Sequence, residues 1–470
     1  MADLIEALRA ALPDAAVLTD PDLLRGHQRD EADLVPYGMP AVVVRPRTTE
    51  EVVAVVRVAA AAGAPIVPQG ARTGLAGAAN AVDGAVVLST VAMDRILEID
   101  RVNRYAVVQP GVVNAALAAA AGAVELRYPP DPGSWESSTI GGNVATNAGG
   151  MCCVKYGVTS EYVIGLEVVL ASGDVLRTGR RTAKGVAGYD LTHLFVGSEG
   201  TLGVLTELTV ALRPAADDSL TLIALFPTTA AAGAAVAAIA GGGYSPSLLE
   251  LLDRTHLRAI EALRPMGLRT DAKALLLAAV DTGSRAPADL AALAAVCRDA
   301  GADEVFEATD AVEAAELLRA RRLAHPAMEK YAADTHPEGS GGIIVDDIAV
   351  PRTALAAMLD GIEKIAFDCD IPIGVVAHAG DGNLHPNIVV DRASPSSVAR
   401  GRRAFDEIMR LGLSMGGTST GEHGVGLLKR DWLAREIGPV GMGVHRAIKQ
   451  ALDPTGLFNP GKVVPLASGR

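Results

Sequence analysis

The sequence predicts an α+β protein with more than one domain, and three observations support that fold class. The chain has 470 residues, which is past the size at which a single hydrophobic core stops growing, so we expect two or three domains. Strand-forming runs and helical segments alternate without a regular βαβ period. A polar stretch at Pro214 and residues 217–219 separates two such regions and predicts a domain boundary between them.

The first region begins with a helical leader over residues 1–40 and continues with strands and a capped helix. Thr48 and Thr49 precede Glu50 and Glu51, which is typical of a helix start, and the helix is expected to run to Gly63. β-rich runs predict strands at 41–45, 64–67, 85–88, 106–109, 163–170 and 202–211.

The second region has the same two kinds of segment in a different order. Strands are predicted at 220–226, 274–280 and 343–350, and helices up to 240 and at 287–300, 313–330, 352–367 and 404–415. Asp381 and Gly382 lie between two apolar runs, which predicts a β-hairpin. The turn-rich segment 452–462 ends the fold.

Charge and cysteine content exclude several function classes. The formal charge is 42 − 55 = −13 with no long basic block, which disfavours a nucleic-acid partner and anchoring on anionic lipid.

The N-terminus lacks a signal-peptide pattern, and no apolar run reaches the roughly 20 residues of a membrane span. We therefore expect a cytoplasmic protein; peripheral attachment to the inner face of a membrane stays open. The four cysteines form no CxxC pair, so electrons would have to pass through an organic cofactor.

Glycine-rich loops favour a large polar cofactor. Neither GxGxxG after a strand nor GxxxxGK[ST] occurs. Instead, segments 68–77, 139–150 and 197–203 are rich in Gly, Thr and Asn, and such backbone can converge its N–H groups on an anion. The first loop alone is equally consistent with an ordinary Ala/Gly loop.

Two short motifs favour a metal site. The predicted hairpin brings His378 and His385 to the same end of paired strands, and Asn387 lies on the same strand face as His385. Glu422 and His423 follow a bent, Gly-rich segment. Two His and one carboxylate are a common catalytic set for Zn²⁺, Mn²⁺ or Fe²⁺. The alternative is a pair of ordinary hairpin histidines and a surface Glu.

From about residue 38 to Lys462, these loops and motifs together resemble the vanillyl-alcohol oxidase / p-cresol methylhydroxylase superfamily. The branch that it resembles contains glycolate oxidase flavoprotein subunits, D-lactate dehydrogenases and D-2-hydroxyglutarate dehydrogenases. The resemblance implies a two-subdomain FAD-binding domain of the p-cresol methylhydroxylase type, an α/β substrate (cap) domain with an antiparallel sheet, and a C-terminal segment that returns to the flavin. The implied ranges are 1–216, 217–411 and 412–470.

The resemblance also implies which residues bind FAD. The expected cofactor residues are Pro68, Gly70, Ala71, Arg72, Thr73, Gly74, Gly77, Pro130, Thr139, Gly141, Gly142, Asn143, Thr146, Asn147, Gly149, Glu199, Gly203, Val204 and Asn459. Several superfamily members attach FAD through a histidine of the first loop. That loop has no histidine here, so we expect non-covalent FAD.

For the chemistry, the resemblance implies a divalent metal on His378, His385 and Glu422, with His423 as general base. Asn387 would contact the substrate, and Arg321 would bind its carboxylate, for which a guanidinium is suited.

The expected reaction is oxidation of a 2-hydroxy acid to the 2-oxo acid. Val345 stands where D-2-hydroxyglutarate enzymes carry a second basic residue, which favours D-lactate, glycolate or another monocarboxylate; D-2-hydroxyglutarate stays the alternative. A quinone, an electron-transfer flavoprotein or an iron–sulfur subunit would accept the electrons, and we expect a homodimer or a subunit of a complex.

Two other functions fit parts of the sequence. Residues 417–421 spell GxSxG, the nucleophile elbow of hydrolases, but that elbow needs a preceding strand and residues 404–415 have the pattern of a helix. A non-catalytic flavin subunit would be expected to lack the two metal motifs, which this chain has.

Overall fold

The structure is a computed structural model that describes residues 2–308, 310–336 and 338–464. The chain divides into two compact units, one made of residues 1–149, 158–215 and 422–470 and the other of residues 150–157 and 216–421. Met1 and residues 465–470, at the ends of the expected domain ranges, lie outside the described residues.

In chain order, the helices are α1 (Ala2–Ala11), α2 (Pro21–Arg25), α3 (Thr49–Ala62), α4 (Asn114–Gly122), α5 (Ile140–Thr146), α6 (Cys153–Tyr156), α7 (Leu191–Phe195), α8 (Thr229–Gly241), α9 (Arg254–Leu263), α10 (Ala286–Asp299), α11 (Ala311–Arg322), α12 (Ala324–Thr335), α13 (Leu355–Asp368), α14 (Pro395–Ser414) and α15 (Arg430–Leu452). The strands are β1 (Val17–Leu18), β2 (Val42–Val44), β3 (Ile66–Gln69), β4 (Val86–Ser89), β5 (Ile96–Asp100), β6 (Tyr105–Val108), β7 (Leu126–Arg127), β8 (Val163–Val169), β9 (Val175–Gly179), β10 (Val204–Ala211), β11 (Arg213–Pro214), β12 (Leu220–Phe226), β13 (Leu248–Asp253), β14 (Ala274–Val280), β15 (Glu304–Glu307), β16 (Gly341–Val345), β17 (Ile348–Ala349), β18 (Ile373–His378) and β19 (Asn383–Asp391).

The first unit contains two main sheets. One has the strand order β1-β2-β4-β3, with β2 and β3 parallel to β4, and the other is antiparallel with the order β5-β6-β10-β8-β9. The predicted helix is confirmed as α3: the Thr48 side chain accepts from the Glu51 N–H, and Gly63 ends the helix in the left-handed region at φ 62°. Its buried Val52, Val55, Val56 and Ala59 have helical spacing and join the core that covers the first sheet.

The C-terminal segment belongs to this unit. Ile66 of β3 donates its N–H to Leu457 O, and Asn459 donates its N–H to Ile66 O. The last turns of the chain therefore extend the edge next to the first glycine loop, as the fold class predicted. α15 is kinked at Gly438, where φ is 68°, immediately before Pro439.

The second unit is built on an antiparallel sheet of order β15-β12-β14-β13-β18-β19-β16, with β17 also paired to β19. The predicted hairpin is confirmed: β18 and β19 pair with His378 opposite Asn383, and Gly382 takes φ 77° in the turn. α14 confirms that a helix, and not a strand, precedes the GxSxG pattern of residues 417–421, which removes the support for a hydrolase elbow.

Two expected elements of this unit are wrong in their extent. The helix predicted at 313–330 is two helices, α11 and α12, which meet at Leu323. The strand predicted at 343–350 is interrupted by the buried Asp346 and Asp347, so β16 and β17 are separate strands. The adjacent Asp346 and Asp347, and Pro326 in the first turn of α12, are the local signals of these breaks.

Candidate functional site

The first glycine loop (residues 68–77) continues from β3 and lies against the second loop (residues 139–150) within the first unit. A Cβ atom on Gly70 would lie 2.5 Å from Thr139 Oγ1. Only glycine therefore lets the backbone at position 70 lie this close to Thr139. Gly77 takes φ 77°, and a Cβ there would lie 2.5 Å from the Val35 side chain. The predicted loops are therefore neighbours, and their close approach depends on glycine.

Arg72 lies on the first loop in an unusual environment. Its φ of 64° places a non-glycine residue in the left-handed region. Its Nη1 lies 3.2 Å from Nδ1 of the buried His27, whose other ring nitrogen lies 3.3 Å from Arg45 Nη2. Burial lowers the pKa of His27, and the Arg72 guanidinium lowers it further. The histidine therefore stays neutral between two cations.

The hydrogen bonds of Gln69 decide which nitrogen of His27 carries the proton. Gln69 Nε2 donates to the carbonyl oxygens of His27 and Ala79, so its Oε1 is the atom that lies 2.8 Å from His27 Nδ1. Nδ1 must donate to that oxygen and cannot also accept from Arg72. The guanidinium of Arg72 thus faces a donor and a second cation, Arg45, at the start of a glycine loop. This arrangement fits an anionic group such as a diphosphate.

The second loop is organised by α5. The Thr139 side chain caps the helix by accepting from the Gly142 N–H, and Asn147 ends it with φ 54°. A Cβ on Gly141 would lie 2.5 Å from Pro110 Cβ. Asn143 is 4% exposed, and within the described residues its Nδ2 has no hydrogen-bond partner. A buried amide donor of this kind fits a polar cofactor atom.

The third glycine-rich segment (residues 197–203) is hydrogen-bonded to the C-terminal part of the chain. Glu199, with φ 50°, is buried and accepts from the N–H groups of Val425 and Gly426 at 2.6 and 2.7 Å. Asn459, with φ 45°, donates from Nδ2 to Ala78 O and Glu199 O. Burial raises the pKa of Glu199 to about 7. Two other parts of the chain are thus hydrogen-bonded to Glu199, one through its carboxylate and the other through its main-chain oxygen.

Asp30 and Lys462 extend this network under the first loop. Asp30 accepts from the Ala32 and Ala79 N–H groups, and burial raises its pKa to about 6. Lys462 is 1% exposed and donates to Asn459 Oδ1 at 2.5 Å, and burial lowers its pKa to about 7. The sequence motifs did not single out either group, because each lies in a segment with no repeat or metal-type spacing.

The other predicted cofactor residues lie on the same segments of the first unit. Val204 begins β10 and Gly203 directly precedes it; a Cβ on Gly203 would lie 2.6 Å from Val168 Cγ1. The remaining positions are Pro68 at the end of β3, Ala71, Thr73 and Gly74 in the first loop, Pro130, whose carbonyl accepts from Asn114 Nδ2, and Thr146, whose hydroxyl donates to Gly142 O.

Glu422 and His423 lie beside the end of the second loop. A Cβ on Gly149 would lie 2.3 Å from Glu422 Oε2 and 3.1 Å from Glu422 Cβ. The side chains of Glu422 and His423 are each 13% exposed, with His423 Nε2 3.8 Å from Glu422 Oε1. Part of the predicted metal and base motif therefore lies directly against a predicted cofactor residue, Gly149.

In the second unit, the hairpin brings His378 and His385 together. Their ring centroids are 5.1 Å apart at an interplanar angle of 85°, and the residues are 6% and 5% exposed. The carboxylate of Glu250, on β13, lies 2.8 and 2.9 Å from His378 Nδ1. It also accepts from Arg321 Nε at 2.6 Å. One buried carboxylate thus joins a predicted metal ligand to the predicted substrate arginine.

Asp347 lies on the other side of the histidine pair. It is fully buried, and its Oδ1 lies 3.7 Å from His385 Nδ1. It accepts from Asn383 Nδ2, Thr420 Oγ1 and the Gly421 N–H. Glu422 is the next residue of the chain after Gly421.

Asn387 is buried on β19, two residues beyond His385. Its Nδ2 donates to His385 O at 2.8 Å, and its register partner on β16 is Val345.

Comparisons with known proteins show the family to which the chain belongs. Residues 216–463 match the family model described as FAD linked oxidases, C-terminal domain, and residues 40–179 match the FAD binding domain. The chain belongs to the FAD-linked oxidase family. It is an FAD-binding oxidoreductase, as its glycine loops and their resemblance to that superfamily predicted.

Curated relatives cover almost the whole chain. The glycolate oxidase subunit GlcD of Bacillus subtilis (strain 168) is 43% identical over 90% of this chain and 89% of its own length. The GlcD subunit of Escherichia coli (strain K12) is 36% identical over 98% and 94%. The D-lactate dehydrogenase of Anaerostipes hadrus is 33% identical over 98% and 97%.

Solved structures confirm the fold class. p-Cresol methylhydroxylase matches with a TM-score of 0.80 at 19% identity, covering 100% of this chain and 98% of its own. 4-Ethylphenol oxidase from Gulosibacter chungangensis matches with a TM-score of 0.78 at 20% identity, covering 99% and 97%. Among the residues that the structure describes, no helix is long and apolar enough to cross a bilayer.

Proposed function

We propose that this protein oxidises a small 2-hydroxymonocarboxylate, such as D-lactate or glycolate, to the corresponding 2-oxo acid. The observation that carries the proposal is the cluster in which Glu250 contacts both His378 and Arg321 beside His385. It places a pair of imidazoles suited to a metal next to a guanidinium suited to a carboxylate. The relatives named as glycolate oxidase subunits and a D-lactate dehydrogenase support the same substrate class.

The roles of the residues follow from their chemistry. Arg321 binds the substrate carboxylate, and Asn387 contacts the substrate next to it. His423 takes the proton of the 2-hydroxyl group while the C2–H bond breaks and its electron pair leaves as hydride. Bound FAD supplies the two-electron acceptor for that hydride, without a covalent bond to the protein.

A divalent metal ion, Zn²⁺, Mn²⁺ or Fe²⁺, belongs to the same proposal. His378, His385 and Glu422 would hold it, and it would supply a Lewis acid that makes the 2-hydroxyl group more acidic. The residues present fit such an ion, because His378 Nδ1 lies 2.8 Å from the Glu250 carboxylate, and metal-binding histidines ordinarily have a carboxylate partner on their other ring nitrogen. Val345, opposite Asn387, adds no charge that would pair with a second carboxylate, which favours monocarboxylates over D-2-hydroxyglutarate.

The electrons would leave through a quinone, an electron-transfer flavoprotein or an iron–sulfur subunit. The word "subunit" in the names of two relatives favours assembly into a complex.

The variant His423→Ala tests the assigned base. We expect it to retain FAD and to lose flavin reduction by the substrate, because alanine cannot take the proton of the substrate's 2-hydroxyl group. The matched control is His445→Ala, since His445 is exposed on α15, where its Nδ1 lies 2.9 Å from Gly441 O. Stopped-flow reduction at several pH values distinguishes the two variants, and reduction of His423→Ala at the wild-type rate would refute the assignment.

A further inference from the structure

Glu250 is a buried carboxylate that is not among the proposed metal ligands, the base or the substrate contacts. It is 0% exposed, and it interrupts the apolar run of β13 between Leu249 and Leu251. A lone carboxylate in a central strand is costly unless cations and donors satisfy it. Its partners are therefore informative about its function.

Strand register brings Glu250 to His378. Leu251 pairs with Ala377 between the antiparallel β13 and β18, so the preceding residue of β13 lies opposite the following residue of β18. Both oxygens of Glu250 are within 2.9 Å of His378 Nδ1. Because an ionised carboxylate only accepts hydrogen bonds, Nδ1 must carry the proton. In the neutral imidazole the lone pair is then on Nε2.

Arg321 provides the positive charge that Glu250 requires. Its Nε donates to Glu250 Oε2 at 2.6 Å from the last turn of α11, and its side chain is 12% exposed. The negative charge of Glu250 is therefore paired without a second cation, and a neutral imidazole is the form in which histidine binds metals. The bond uses only Nε–H, and the Nη groups of the guanidinium keep four further N–H donors.

We propose that Glu250 is a positioning residue that couples the metal ligand His378 to the carboxylate-binding Arg321. By accepting from both, it fixes the tautomer of one side chain and the orientation of the other, so that metal binding and substrate binding depend on the same carboxylate. This inference rests on the proposed function. It adds a residue outside the metal ligands, the base and the substrate contacts.

Glu250→Gln tests the coupling in purified, FAD-loaded protein stripped of metal. The neutral amide keeps the size of the side chain but no longer requires the proton on His378 Nδ1, and it loses the charge that holds Arg321. Zn²⁺ affinity, measured by competition with a chelating indicator, should fall by about 10- to 100-fold. Pyruvate binding to the metal-free protein, followed by the flavin spectrum, should weaken by about tenfold, which reports the Arg321 part separately.

Two further variants separate positioning from general stability. Asp253→Asn removes another carboxylate of β13, one that accepts from the His256 and Val375 N–H groups and contacts neither His378 nor Arg321. It should lower the melting temperature and leave both affinities unchanged. Glu250→Asp keeps the charge and should restore part of both affinities, which also covers the case in which Glu250→Gln does not fold.

The outcomes distinguish this inference from the proposed function. Wild-type Zn²⁺ and pyruvate affinities in Glu250→Gln, with Zn²⁺ bound by the wild type, would overturn the coupling and leave the proposed function intact. Equal losses in Asp253→Asn would also overturn it, because the effect would then be one of sheet stability. A wild-type protein that takes up no Zn²⁺ would contradict the proposed metal and with it the role given to His378.

Discussion

Replacing Arg72 by alanine should weaken FAD binding without weakening the apoprotein. In the structure, Arg72 Nη1 lies 3.2 Å from the donating Nδ1 of His27. Burial, and to a smaller extent the charge of Arg45, lowers the pKa of Arg72. The guanidinium is thus unfavourably placed until an anion reaches it. Its removal should leave the melting temperature of the FAD-free protein unchanged or higher.

The size of the effect follows from the bond that is lost. A hydrogen bond to a charged group contributes about 1.5–3 kcal/mol, and each 1.4 kcal/mol is a factor of ten in Kd. The FAD Kd should therefore rise by about 10- to 100-fold in Arg72→Ala, and the difference from wild type should shrink at high ionic strength because the lost interaction is electrostatic.

The assay is titration of apoprotein with FAD, followed by quenching of flavin fluorescence at low and high salt. Arg47→Ala is the matched control, because Arg47 is exposed and carries the same charge close by in sequence. An Arg72→Ala Kd within twofold of wild type, or a change no larger than that of Arg47→Ala, would refute the assignment of Arg72 to an anionic part of FAD.

Two further predictions concern Asp30 and Gly149. Burial raises the pKa of Asp30 to about 6 from 3.8, so the folded protein binds more protons than the unfolded chain between these values and loses stability as pH rises through that window. Asp30→Asn has no carboxyl group to titrate there, so the melting temperature of the wild type relative to that of Asp30→Asn should fall between about pH 4 and pH 7, and a difference that stays constant would contradict this. A Cβ at Gly149 would lie 2.3 Å from Glu422 Oε2, so Gly149→Ala should retain less divalent metal per flavin after dialysis. Gly122→Ala, where no atom lies within 4 Å of the added Cβ, is its control, and equal metal content in both would show that Glu422 is not a ligand.

Much of the fold was predictable because its signals are local. The Thr48 cap, the Gly63 stop and the Asp381-Gly382 turn each depend on a few adjacent residues, and the structure confirms the helix and the hairpin that they predict. The proximity of His378 and His385 follows from that hairpin, so this part of the site was also accessible from sequence.

The missing part of the site is non-local. Glu250 is 128 residues from His378 and 71 from Arg321 along the chain. The register of β13 against β18 brings it to His378, and the position of α11 brings Arg321 to it. A single carboxylate inside an apolar strand was the available signal, and its buried position gives that signal a meaning that the sequence alone did not. Asp30 and Lys462 were missed for the same reason, since their environment is formed by segments from opposite ends of the chain.

The most direct test of the central claim is the anaerobic flavin absorbance of the purified protein after separate additions of D-lactate, L-lactate, glycolate and D-2-hydroxyglutarate, with and without prior chelation. We expect the flavin band to bleach with D-lactate or glycolate and chelation to prevent the bleaching. A metal-loaded, FAD-containing protein whose flavin stays oxidised with all four acids would contradict the proposed reaction, and bleaching that chelation does not affect would contradict the proposed metal.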